Sequence, residues 1–420
     1  MYCGSCIRDN RLIAGLEKLG WDTLLLPLYT PIRVDGNDHS VDKVFFGGVN
    51  VFLQQKVPLF RHLPRFLDHW LDNPKLIKRV TSGAVSVSAK ELGGMTLSMV
   101  KGEHGFQKKE VGRLVHWLKH HAKPDLICLT NLLVGGSIPA LKRELGVPIY
   151  VTLQGDDVFL EELEEPWRSE VLAEMKRLAA EAEGFITFSE VYREKMGALL
   201  GIPEEKFHLT PLGIAVEAYD EVHQDRQNRD PGQVIGYFAR MAPEKGFDIA
   251  VDAFIEVARE NPLATFRAGG WLSEKDRDFH SEQLRKLEVA GLSNRFEHIE
   301  AANNEQKLDF FRSIDVFTVP ARFVEPKGLY VLEAMACGIP FVAPERGVFS
   351  EMVAQGRGGV LCKPENSSDL AVQISELLAN PVRAIELGEA GRNWVAEYGD
   401  EQAMAKATAA VYSEALQLKS

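Results

Sequence analysis

Long apolar runs are missing from this chain. In 420 residues no stretch reaches the ~18 apolar side chains that a membrane-spanning helix needs. The amino terminus lacks a basic start followed by an apolar core, so it does not read as a secretory leader. Cysteine is scarce: five, an odd number in a chain this long, do not make a disulfide framework. A reducing compartment, the cytoplasm, is the expected location. A basic surplus is absent too. The formal net charge is −12, concentrated in residues 201–420, and it argues against nucleic acid as a partner. No internal repeat or low-complexity segment occurs.

What is present is an ordinary globular composition, 45% hydrophobic and 26% charged, with length enough for two domains of about 200 residues each. One stretch runs against the overall acidity. Residues 56–123 hold 13 basic and 5 acidic side chains, and 57–80 interleave that charge with Phe, Leu and Trp. Such a segment suits peripheral contact with an anionic membrane or a phosphorylated acceptor, or an amphipathic lid on its own domain. Both readings stay open.

The pattern alternates strand and helix in two halves. The first half opens with a glycine-containing turn and an apolar-faced helix, followed by strands expected at Asp22–Tyr29 and Lys43–Leu53. A doubly wound fold should have a strand before that first helix, and a start some 10–20 residues upstream is expected on this ground. The pair Cys3 and Cys6 lacks a second ligand pair at zinc spacing. Buried strands are expected at Leu126–Leu129, Pro148–Leu153 and Gly184–Phe188. The first is followed by Thr130-Asn131 and the second by Gln154-Gly155-Asp156-Asp157, at strand ends where α/β sheets take ligands. Adjacent aspartates could suggest a divalent metal, or Asp156 could cap the helix that follows. The polar run Asp220–Gly232 carries a linker composition, and the domain boundary is expected there.

In the second half, strand Val234–Phe238 leads into Ala239-Arg240-Met241-Ala242-Pro243-Glu244-Lys245-Gly246, then a helix from about Phe247. Arg and Lys five apart in a strand–loop–helix setting suit a diphosphate: Arg offers a bidentate fork and Lys a point charge. Further on, Val324–Glu345 places Glu325 before a helix from about Leu329 to Cys337, and Glu333 inside it. The N–H groups of Gly328 and Leu329 at the helix start would favour an anion. Apolar neighbours on both sides of Glu333 predict burial, and a buried carboxylate needs a partner.

This segment resembles the donor-site signature of retaining glycosyltransferases of family 4, the group 1 glycosyltransferases of the GT-B fold. Both glutamates, Gly328 and the AMACG–P run carry the likeness, which extends over nearly the whole chain. It implies an α/β architecture of two Rossmann-like doubly wound domains facing across a cleft. Residues 1–215 would form the acceptor side, 216–232 the linker and 233–399 the donor-binding domain, with a helix at about 400–418 packing back on the first. The implied activity is transfer of a sugar, with retention of configuration, from a nucleotide-diphosphate sugar, most often of UDP. The acceptor would be a glycan, glycolipid or small molecule.

By the same resemblance Glu325 positions the donor sugar, while Arg240 and Lys245 stabilise the diphosphate. Glu333 holds the ribose, and Gly4, Gly328 and Leu329 complete the cradle. Asn131, Gln154 and Asp156 are the acceptor-side candidates. Neither a cofactor nor a metal is implied. One departure stands out: Thr130 and Asn131 occupy the place where relatives often carry a histidine. A nucleotide-sugar-binding protein without turnover, or an epimerase on the same fold, are the alternatives.

Overall fold

The computed structural model describes residues 4–29, 38–41, 44–46, 51, 54–55, 89–299, 303–355 and 358–418. Cys3 and the basic-aromatic stretch 57–80 lie outside the described residues. Among the described residues no helix is long and apolar enough to cross a membrane. The chain divides into two compact units, one of residues 2–210 with 405–420, the other of residues 211–404.

The first unit is built on a parallel sheet of β1 (Ile127–Leu129), β2 (Ile149–Thr152), β3 (Gly184–Thr187) and β4 (Phe207–Leu209), in that order. Strands β2 and β3 are buried along their whole length, as a parallel sheet covered on both faces requires. Val171, Met175 and Leu178 of helix Trp167–Glu181 share a core with Ile149, Val151 and Phe185. The terminal stretch joins this unit, where Tyr412 packs against Trp21 and Tyr150 with ring centroids 6.1 and 6.3 Å apart.

The strands expected at Asp22–Tyr29 and Lys43–Leu53 reduce, among the described residues, to single bridges. Leu25 meets Ser40 and Leu28 meets Phe45, while Gln54 and Gln55 are helical. Pro27 accepts from the Phe45 N–H at 3.1 Å but has no N–H to return, which breaks the ladder there.

The second unit holds a six-stranded parallel sheet of β5 (Val234–Phe238), β6 (Thr265–Gly269), β7 (Phe296–Ile299), β8 (Val316–Thr318), β9 (Phe341–Pro344) and β10 (Gly359–Cys362). Its spatial order is β10-β9-β8-β5-β6-β7. The chain therefore winds outward from β5 through β6 to β7, then returns to the other side of β5 as β8. That reversal makes the carboxyl ends of β5 and β8 a topological switch point, the usual crevice for ligands in open α/β sheets. The loops leaving these two strands carry Arg240 and Lys245 on one side and Glu325 and Gly328 on the other.

Residues 216–232, expected as the linker, contain a short turn at Val216–Tyr219 and the helix Asp220–Gln227. Tyr219 and Val222 are buried, and the charged residues work locally. Arg226 and Arg229 donate to the Ile314 carbonyl, Arg229 pairs with Asp315, and Asp225 takes Arg312 at 3.0 Å. Polar composition here reflects ion pairing with the start of β8.

Candidate active site

Tyr237, buried on β5, fixes the loop that follows: its hydroxyl reaches the carbonyls of Arg240 (3.0 Å) and Lys245 (3.4 Å). Gly246 then turns the chain at φ 70°. A Cβ there would lie 2.0 Å from the Pro320 carbonyl, so glycine is what lets the loops after β5 and β8 approach. Arg322 ties the same loops together. It grips Asp248 through two bonds of 2.8 and 2.7 Å, and its N–H donates to the Glu244 carbonyl at 2.9 Å.

Within this frame Glu325 is 4% exposed. Its Oε2 accepts from the Lys245 ammonium at 3.1 Å and from the Tyr330 hydroxyl at 2.8 Å, and its Oε1 from the N–H groups of Lys327 and Gly328, both at 3.3 Å. Burial pushes the carboxyl up, but the Lys245 charge with the Tyr330 and Gly328 donors outweighs it and holds Glu325 below the ordinary carboxylate range. The Lys245 ammonium also lies over the rings of Phe323 (4.5 Å) and Tyr330 (5.0 Å).

Helix Leu329–Ala336 starts at Gly328, φ 64°, and six of its eight residues are buried, Glu333 among them. Glu333 pairs with the equally buried Lys307 at 3.1 Å. Gly338 closes the helix, with the Ile339 N–H returning to the Ala334 carbonyl at 3.0 Å.

The structure thus brings Lys245, Glu325 and Gly328 into one cluster. Gly328 turns its N–H onto Glu325, while Leu329 stands at the first helical position, ahead of the first intrahelical donors, the N–H groups of Val331 and Leu332. Arg240 pairs with Glu244, and both remain about a third exposed or less. Glu333 is engaged separately, by Lys307. Gly4 opens helix Gly4–Lys18 of the first unit.

The acceptor-side candidates sit in the first unit, at the ends of β1 and β2. Asn131 caps the turn Leu132–Ser137, accepting from the Val134 N–H at 3.2 Å. Gln154 donates to the Thr130 carbonyl (2.8 Å) and hydroxyl (2.9 Å). Asp156 accepts from the N–H groups of Leu132 (2.6 Å) and Gln154 (3.2 Å); burial raises its carboxyl to about 6 despite these donors. Asp157 is taken by the Tyr192 hydroxyl and the Lys195 ammonium, each at 2.6 Å.

Sequence reasoning missed Tyr330, Lys307 and the Arg322–Asp248 pair. Burial of the glutamates announced that partners must exist, yet nothing in spacing says which distant lysine serves which glutamate.

Two family models match this chain. "Glycosyl transferase 4-like domain" covers residues 10–213 and "Glycosyl transferases group 1" covers residues 219–394. The chain belongs to the group 1 glycosyltransferases. This glycosyltransferase is 26% identical over 313 residues to a protein of Mycobacterium tuberculosis named glycogen synthase, covering 73% of this chain and 72% of that one. It is 25% identical over 371 residues to the D-inositol 3-phosphate glycosyltransferase of Segniliparus rotundus, covering 82% and 80%. Its fold matches that of Anabaena Alr3699/HepE, solved in complex with UDP-glucose, with a TM-score of 0.64, 18% identity and coverage of 94% of this chain and all of the other. The architecture is that of the GT-B enzymes, and the activity is glycosyl transfer.

Proposed function

We propose that this glycosyltransferase moves a sugar from a nucleotide diphosphate, UDP first among the candidates, to a hydroxyl of a glycan, glycolipid or small molecule, with retention and without a metal. The observation that carries the reading is the cluster of Lys245, Tyr330 and Glu325 at the switch point of the second sheet. The names of the relatives and the UDP-glucose held by HepE support it.

In this account the bond from the sugar's anomeric carbon to the diphosphate breaks and charge gathers on the departing phosphate oxygen. Arg240 and the Lys245 ammonium, which keeps donors beyond the one spent on Glu325, stabilise that charge. Glu325 positions the sugar hydroxyls and Glu333 the ribose. The acceptor oxygen bonds to the anomeric carbon from the face the leaving group vacates, and its proton passes to the departing oxygen. No protein nucleophile takes part.

The test is product analysis with UDP-glucose, proton NMR following the anomer first released. An α product formed equally well in EDTA supports the reading; a β product contradicts retention, and a complete, metal-reversible loss contradicts metal independence.

A further inference from the structure

We propose that Asp9 is the carboxylate that holds the acceptor hydroxyl, an assignment that rests on the transfer reading above. Helix Gly4–Lys18 delivers Asp9 to the carboxyl ends of β1 and β2, where its Oδ2 accepts from the Thr130 hydroxyl at 2.5 Å. Gln154 donates to the oxygen of that same hydroxyl, which leaves the threonine proton directed at Asp9. Gln154 thereby acts on the acceptor side through Thr130.

The second carboxylate oxygen is fixed from beneath. Arg8 is 2% exposed, and its Nη1 donates to Asp9 Oδ1 at 2.9 Å while its guanidinium stacks 5.1 Å from the ring of Phe188, the residue after β3. Among the described residues the Nε and Nη2 of Arg8 are buried without a hydrogen-bond partner. A buried guanidinium that leaves two nitrogens unpaired to orient one carboxylate costs stability, and chains accept such costs at functional sites.

Asp9 itself remains 16% exposed. A carboxylate offers about four lone-pair directions. Arg8 and Thr130 take two, leaving acceptor capacity at a rigidly oriented group on the ligand edge of the sheet. Such a group fits a neutral hydroxyl, whose proton it can accept in a hydrogen bond, and repels an anionic substituent.

The experiment uses the full chain and water as the acceptor probe. Hydrolysis of UDP-glucose, GDP-mannose and ADP-glucose is measured for the wild type, and the fastest donor is carried to Asp9→Asn and Thr130→Val. The proposal expects Asp9→Asn to lower kcat at least about tenfold while the donor KM and the nucleotide-induced rise in Tm stay within about twofold. Thr130→Val, which frees Asp9 without removing it, should lower kcat by a smaller factor, again at constant KM. Hydrolysis by Asp9→Asn within about twofold of wild type overturns the proposal. So does loss of the nucleotide response together with a collapsed Tm, since Asp9 would then be structural. A wild type that turns over none of the donors overturns the transfer reading and this assignment with it.

Discussion

Lys245 and Glu325 stand 80 positions apart in the chain and 3.1 Å apart in the structure, the lysine on the loop after β5 and the glutamate on the loop after β8. Glu325 is the more deeply buried, with 5% side-chain exposure against 20%. Removing one partner leaves the other charge desolvated. Lys245→Met should cost about 2–4 kcal/mol of stability, and the double variant Lys245→Met/Glu325→Gln less than the sum of the singles. Urea denaturation of the four proteins measures this, and a strictly additive cycle would contradict the pairing.

The same pair sets a pH dependence. The folded carboxyl of Glu325 titrates below its ordinary 4.5. Its contribution is therefore present above that pH and lost as pH falls through the lower, folded value. The stability advantage of wild type over Glu325→Gln should be constant above about pH 5 and shrink in stronger acid. Melting curves from pH 3 to 8 for both proteins give the comparison.

Arg240 separates chemistry from folding. Its partner Glu244 is partly exposed, and ion pairs of that kind contribute about 1 kcal/mol or less. Arg240→Ala should therefore fold with nearly unchanged stability and yet turn over donor more than about tenfold slower, because leaving-group stabilisation is lost. Steady-state kinetics beside a melting curve decides the matter; near-normal turnover would remove Arg240 from the mechanism.

Glu333 should act on nucleotide binding rather than on the chemical step, beside the stability lost when its buried partner Lys307 loses this counter-charge. Glu333→Gln keeps the shape but gives up the charge that meets Lys307, and nucleotide affinity should fall about tenfold with little change in kcat. Isothermal titration with the nucleotide measures it, and an unchanged affinity would refute the ribose role.

In the first unit Asp156 gives the opposite sign to Glu325. Burial raises its carboxyl from 3.8 to about 6 in the folded state. The protonated form is the favoured one, so its stabilising contribution is full below about pH 4 and lost as pH rises through about 6. The stability of Asp156→Asn relative to wild type should improve by up to about 3 kcal/mol between pH 4 and pH 8. Denaturation at the two pH values checks the slope.

Strand β5 was legible because it is a short apolar run between turn signals, and through Phe238 it lies where the pattern put it. Arg240, Lys245, Glu325 and Glu333 were legible as candidates because each sits at a strand end or in an apolar helix where a solvated charge is out of place. Pairing was not legible. Lys307 and Tyr330 meet the two glutamates through the winding of the sheet, which composition does not encode. The helix Asp220–Gln227 was hidden by its polarity, since Arg226 and Asp225 hold it to Ile314 and Arg312 and its apolar stripe is short. Asp9 was passed over for a related reason. A lone acidic residue on an amphipathic helix reads as solvent-facing until Thr130 and Arg8 are seen to hold it.

The most direct test of the central claim is the melting temperature of the full chain in UDP, GDP and ADP, with Arg240→Ala and Lys245→Met beside the wild type. A ligand that binds the folded state raises Tm by mass action, worth about 2.7 kcal/mol at a hundredfold excess over Kd. The account predicts that one diphosphate raises the wild-type Tm by several degrees and that both variants weaken the response. No response to any nucleotide, or one that both variants retain in full, would contradict a diphosphate site at the ends of β5 and β8.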